Sequence, residues 1–136
     1  MKSENIFDLA LVRLDRAKEL ILEAETLLEK ESFKSANNRA YYATEKALKS
    51  LLALKGKDSK THNGVIILFD DYYVRDKNEY FDRSDLKIIR NMEKIRNASD
   101  YDDFYIAGKA ECKKQVCNAK KIIEKAERYL QSEELI

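Results

Sequence analysis

Apolar positions recur at helical spacing over almost the whole chain. Leu14, Ala17, Ile21, Ala24 and Leu28 fall three or four residues apart, and Leu20 and Leu27 widen the stripe. This predicts a first helix from about Ile6 to Lys30. A short polar turn follows, so the next helix is expected to be its antiparallel neighbour. That second segment, Ser32 to Gly56, carries two rows. Ala36, Ala40, Ala43 and Ala47, continued by Leu51 and Leu54, form a face that another helix can approach closely. Arg39, Tyr42, Lys46 and Lys49 form a polar row offset from it. Ser32 is placed to cap the helix, and Gly56 to take the left-handed position after it.

A third helix is expected from about His62 to Val74, capped by Thr61, with Val65, Ile66, Leu68, Phe69 and Tyr72 as its apolar surface. Arg75 to Phe81 has no period and reads as a mobile loop. Ser84 is a candidate cap for a fourth helix. Ile88, Met92, Ile95 and Ser99 lie along one side of it, flanked by Leu86 and Ile89, while Lys87, Arg90, Lys94 and Asn97 lie along another. The pattern fails within Ser99–Asp103, a stretch rich in residues that bond their own backbone. A fifth helix is expected from about Tyr105 to Gln131, with the stripe Cys112, Val116, Ala119, Ile123, Ala126 and Leu130. Together these predict an all-α, up-and-down bundle of about five helices, a single domain over residues 1–136 around one core.

Composition narrows the chemistry. The absence of proline and the presence of only three glycines agree with an all-helical chain. Charged residues make up 38%, yet the formal net charge is +1, so any nucleic-acid contact must come from a local patch. The longest apolar run, Val65 to Phe69, is too short to span a bilayer. Early Glu4 and Asp8 do not fit a secretion signal. Cys112 and Cys117 point to different sides of one helix. A cytoplasmic protein with reduced thiols is expected.

His62 is the only histidine, which excludes a two-histidine metal site or acid–base pair within one chain. There is no glycine-rich phosphate loop. Asp100, Asp102 and Asp103 suit helix capping better than metal binding; neither metal nor cofactor is expected. What remains is Arg96-Asn97-Ala98-Ser99-Asp100-Tyr101. An arginine fork, an amide and a phenol gathered at a helix end suit an RNA phosphate or a nucleotide. A purely structural use is also open, with Arg96 paired to Asp100 one turn later and Tyr101 packed on the bundle.

Three motifs in order then become recognisable: Asn38-Arg39-Ala40-Tyr41-Tyr42-Ala43, Lys60-Thr61-His62-Asn63-Gly64-Val65 leading to Phe69, and Arg96-Asn97-Ala98-Ser99-Asp100-Tyr101 before a long final helix. The chain resembles the HEPN superfamily from about Ile6 to Tyr129, and most of all its small stand-alone prokaryotic members. The resemblance implies a helical bundle, commonly a homodimer, often paired with a minimal nucleotidyltransferase in a toxin–antitoxin system. It also implies, for many relatives, metal-independent ribonuclease activity. Those carry an arginine and a histidine with four to six residues between them. Arg96 matches the arginine and Asn97 the polar residue after it, but Tyr101 stands where the histidine is expected. Tyrosine is a poor general base, because it ionises near pH ~10.

The first reading is a protein with weak or no catalysis that binds a nucleotidyltransferase partner, and RNA or a nucleotide, through Arg39, Tyr42, Arg96, Asn97 and Tyr101. The alternative is a metal-independent ribonuclease toxin in which Arg96 acts with Tyr101, or with His62 reaching in from the preceding helix start. A plain scaffold, with the same residues forming a polar dimer seam, is the third reading. The second and fourth helices are expected side by side, with Arg39 or Tyr42 near Arg96 or Tyr101.

Overall fold

A computed structural model describes residues 2–133, with side chains described from residue 6. The described chain is an all-α bundle of α1 (Lys2–Glu29), α2 (Phe33–Ala53), α3 (His62–Phe69), α4 (Arg83–Tyr101) and α5 (Lys109–Ser132). One hydrophobic core runs through all five. At its centre lies α2, which packs against α1, α3, α4 and α5. Its four-alanine row is fully buried, as are Leu51 and the neighbouring Leu48 and Leu52. Small side chains let α1 and α5 close on the helix from two directions, while the leucines fill the space beyond. The turn between α1 and α2 is tight enough to hold Glu31 at φ 61°, with the Ser32 N–H donating to the Leu27 carbonyl.

The helix ends show which local expectations hold. Gly56 has φ +65°, and the Lys57 N–H returns to the Leu52 carbonyl, closing α2 as expected. Thr61 caps α3 by accepting from the Gly64 N–H at 3.0 Å. A side chain at Gly64 would collide with the Ser59 and Thr61 hydroxyls, so glycine is required for this turn to fold over the helix start. Ser32 occupies the N-cap of α2, but its hydroxyl makes no capping bond. The fourth helix is capped by Asp82 rather than Ser84. The Asp82 carboxylate accepts from the Ser84 and Asp85 N–H groups, and the Asp85 carboxylate accepts from the Asp82 N–H. A charged acceptor at this end also meets the positive end of the helix dipole.

Two further expectations are corrected. The last turn of the third helix widens to a π-helical turn over Asp70–Val74. The segment after it is a loop, as expected, in which Asn78 accepts from the Tyr80 and Phe81 N–H groups at 2.8 Å each, and Phe81 is buried among Phe69, Tyr73 and Tyr129. The fifth helix begins at Lys109, four residues later than expected.

The correction with most consequence concerns α4. Its buried line is Asp85, Ile89, Met92, Arg96 and Ser99, and the expected Ile88 and Ile95 are only half-buried. The helix is rotated by about one residue, so that two charged side chains enter the interior. Asp85 is satisfied there by Lys125 of α5, which donates to both carboxylate oxygens at 2.7 and 2.8 Å.

Two substitutions test the packing of α2. Ala43→Leu overfills a fully buried helix contact and is expected to cost about 1–3 kcal/mol. Leu51→Ala leaves a cavity and is expected to cost roughly 2–5 kcal/mol. Urea unfolding of both variants checks this, and parent-like midpoints would place the row outside the core.

Candidate functional site

The α2–α4 contact is polar along one stretch because both helices bring polar side chains to it. Asn37 donates to the Ser99 hydroxyl at 3.1 Å, and Asn38 to the Asp100 carboxylate at 2.8 Å. One turn further along α2, the buried Tyr41 ring lies against the Arg96 guanidinium, 5.8 Å from the ring centroid. The Tyr101 ring lies 5.6 Å from the same guanidinium. The two rings differ in setting: Tyr41 is fully buried and Tyr101 is 72% exposed.

Arg96 is only 3% exposed, unusual for an arginine. Its Nη2 donates to Glu93 Oε1 at 3.0 Å and its Nη1 to Asp100 Oδ2 at 3.4 Å. Its Nε is buried with no hydrogen-bond partner among the described residues. Burial works against the charge, but the Glu93 hydrogen bond, nearby Tyr42 and Asp100 hold the guanidinium pKa above its ordinary value. The fork that suits a phosphate is therefore already engaged by the chain's own carboxylates. The Arg96–Asp100 pair anticipated as a structural use is present, whereas Tyr101 does not pack on the bundle.

His62 joins the same neighbourhood from the start of α3. Its Nδ1 faces Glu45 Oε2 at 2.5 Å, and the Tyr41 hydroxyl donates to that same oxygen at 3.3 Å. The imidazole meets the Tyr41 and Tyr42 rings edge-on, both at 5.5 Å between centroids. Arg96 and His62 thus lie against one shared ring. Tyr42 is half-buried, and burial raises its pKa while Arg96 opposes the rise. Around this cluster Glu45, Glu93 and Asp100 outnumber the single guanidinium.

The other expected residues lie further out. Arg39 is exposed and turns toward α1, donating from Nε to Glu23 at 3.2 Å and from Nη1 to Asn38 at 3.2 Å. It reaches Arg96 only through Asn38 and Asp100. Asn97 is exposed, on a different face of α4 from Arg96. Tyr41, Glu45 and Glu93 were not anticipated as site residues. A glutamate on the otherwise alanine- and leucine-rich inner side of α2 was the signal available for Glu45. Its spacing of four from Tyr41 was a second. Asp102, one of the acids considered for metal binding, ends α4 and accepts from the Phe104 N–H at 3.0 Å.

Burial of Tyr41, reinforced by Glu45 and Glu93, pushes its phenol far above the ordinary range, and burial does the same to Tyr73. A raised phenol pKa stabilises the fold fully below the unfolded value near ~10, and this is lost as pH rises past it, because only the unfolded chain ionises readily. Alkaline titration followed by tyrosinate absorbance is expected to leave two tyrosines silent until the helices melt. Tyr41→Phe is expected to soften the alkaline loss of stability. Ionisation of all tyrosines before melting would contradict this burial.

A family model described as HEPN domain matches residues 10–129. Among curated proteins, the "Putative toxin" of Methanocaldococcus jannaschii is 33% identical over 65% of this chain and 64% of its own length. A "UPF0332 protein" of Archaeoglobus fulgidus is 32% identical over 66% of this chain and 70% of its own length. Another "UPF0332 protein", from Thermotoga maritima, is 38% identical over 44% of this chain and 46% of its own length. The match thus spans less than two thirds of the Methanocaldococcus and Thermotoga proteins. Among the described residues no helix is long and apolar enough to cross a membrane.

Proposed function

The chain belongs to the HEPN domain family, and from that premise we propose that it is the toxin-like member of a two-protein system. In this reading it forms a homodimer in the cytoplasm, partners a minimal nucleotidyltransferase, and contacts RNA or a nucleotide at Arg96 with weak or no catalysis of its own. The observation that carries the catalytic part is the engagement of Arg96. Both terminal nitrogens of its fork meet Glu93 and Asp100. A phosphate reaching the guanidinium must displace one of these carboxylates or approach the N–H groups they leave free against their negative charge, and either course favours weak binding. Tyr101 is exposed beside the fork and suits stacking or partner contact better than proton transfer.

A specific observation favours the ribonuclease alternative as a second reading. His62 is 30% exposed in its side chain, and Glu45 holds its Nδ1. With the proton on Nδ1, Nε2 carries the lone pair of a general base. His62 lies beside the same tyrosine ring as Arg96, which supports the reading in which it replaces the motif histidine.

The purified chain is expected to bind a short labelled RNA weakly and to cleave it very poorly at neutral pH, with or without chelator. Arg96→Ala is expected to abolish the site-specific part of the binding. Robust chelator-resistant cleavage, lost in His62→Ala and retained in Tyr101→Phe, would replace this reading with the ribonuclease one. Co-expression with a minimal nucleotidyltransferase and co-purification tests the partner. Failure to co-purify would remove that part of the proposal.

A further inference from the structure

The charges of α4 are sorted by face. Its three acids turn inward or sideways to fixed partners: Asp85 to Lys125, and Glu93 and Asp100 to Arg96. Arg83, Lys87, Arg90 and Lys94 are all exposed, and none forms an ion pair among the described residues. Their steps of four, three and four keep them on one face, and Asn97 and Tyr101 continue the same row to the end of the helix. Like charges at this spacing destabilise a helix by a few tenths of a kcal/mol per pair. The row therefore works against the stability of α4.

A groove of about 520 Å³ follows this face, with Leu86 and Asn91 on its walls among the four cations. The lysine stems and Leu86 give it apolar surface between the charges. From Arg83 to Lys94 the cations cover roughly 16 Å, in steps of about 4.5–6 Å. At the far end of the row the exposed Tyr101 ring offers a stacking surface beside Arg96.

We infer that the outer face of α4 is a docking track for single-stranded RNA. Arg83, Lys87, Arg90 and Lys94 hold successive phosphates, and Tyr101 stacks a base where the track meets Arg96. The inference rests on the RNA contact of the proposed function and gives it a location and a direction. Charge complementarity favours a polyanion. The exposed Tyr101 ring and the apolar surface of Leu86 favour one whose bases are free, rather than an acidic protein surface or a closed duplex.

The test is fluorescence anisotropy with a labelled single-stranded RNA dodecamer and the full chain. With about four phosphates engaged, a slope near −3 in log affinity against log salt is expected, which is about a fifty-fold loss between 50 and 200 mM. The variant K87Q/R90Q/K94Q is expected to lose at least about tenfold in affinity at low salt and to flatten the slope to between about −1 and zero. Its melting temperature is expected to stay level or rise, because like-charge repulsion has been removed. A control with the same charge change elsewhere, K30Q/K60Q/K77Q, is expected to bind nearly as the parent does. Equal losses in the two triple variants would overturn the track. So would tighter binding to duplex RNA, or competition by polyglutamate as effective as by RNA. Salt-sensitive binding that ignores the K87Q/R90Q/K94Q change but disappears in Arg96→Ala would overturn the track and leave the Arg96 contact standing. No binding by the parent would overturn both.

Discussion

The enclosure of α2 is the constraint from which the rest follows. A helix covered by four others must present small side chains where its neighbours come closest, and the four-alanine row does this. Most polar groups it carries inward find a partner, since a buried unsatisfied group costs about 1–3 kcal/mol; the Asn37 amide oxygen has none among the described residues. Thr44 returns to the Ala40 carbonyl, Asn37 reaches Ser99, and Tyr41 reaches Glu45. The partners of Asn37 and Asn38 lie near the end of α4, and Glu45 in turn holds His62 at the start of α3. The candidate site is thus largely the set of hydrogen bonds that lets a central helix be buried.

Much of the fold was legible in the sequence because helical periodicity, Gly56 and Thr61 act locally. The errors were also physical. Leu86, Ile88, Ile89, Met92 and Ile95 spread apolar character around α4, so the periodicity did not fix its face to better than one residue. The structure settled the rotation by burying Asp85 and Arg96, which a hydrophobic pattern ranks as surface residues. Asp82 outcompeted Ser84 as a cap through the reciprocal bond from Asp85. The two backbone N–H bonds that Asn78 accepts lie in a segment without any period, so no periodicity could announce them.

The site was legible in part. Arg96, Tyr42 and Tyr101 were singled out, and the structure gathers them near one another, while Arg39 and Asn97 lie further out or on another face. The place of His62 could not be read locally. It depends on the loop after α2 folding back, which Gly64 permits and which Arg13 secures by donating to Asp58 at 3.0 Å. No spacing within a single helix encodes such a contact.

On the proposed reading, Arg96 is a phosphate-binding fork held in check by Glu93 and Asp100. The most direct test of this reading is a double-mutant cycle on RNA affinity, with E93Q/D100N and Arg96→Ala alone and combined. Neutralising the two acids is predicted to raise affinity by at least about tenfold when Arg96 is present, and by much less when it is absent. An equal gain in both backgrounds, or no gain at all, would show that the carboxylates do not restrain the fork and would contradict the account.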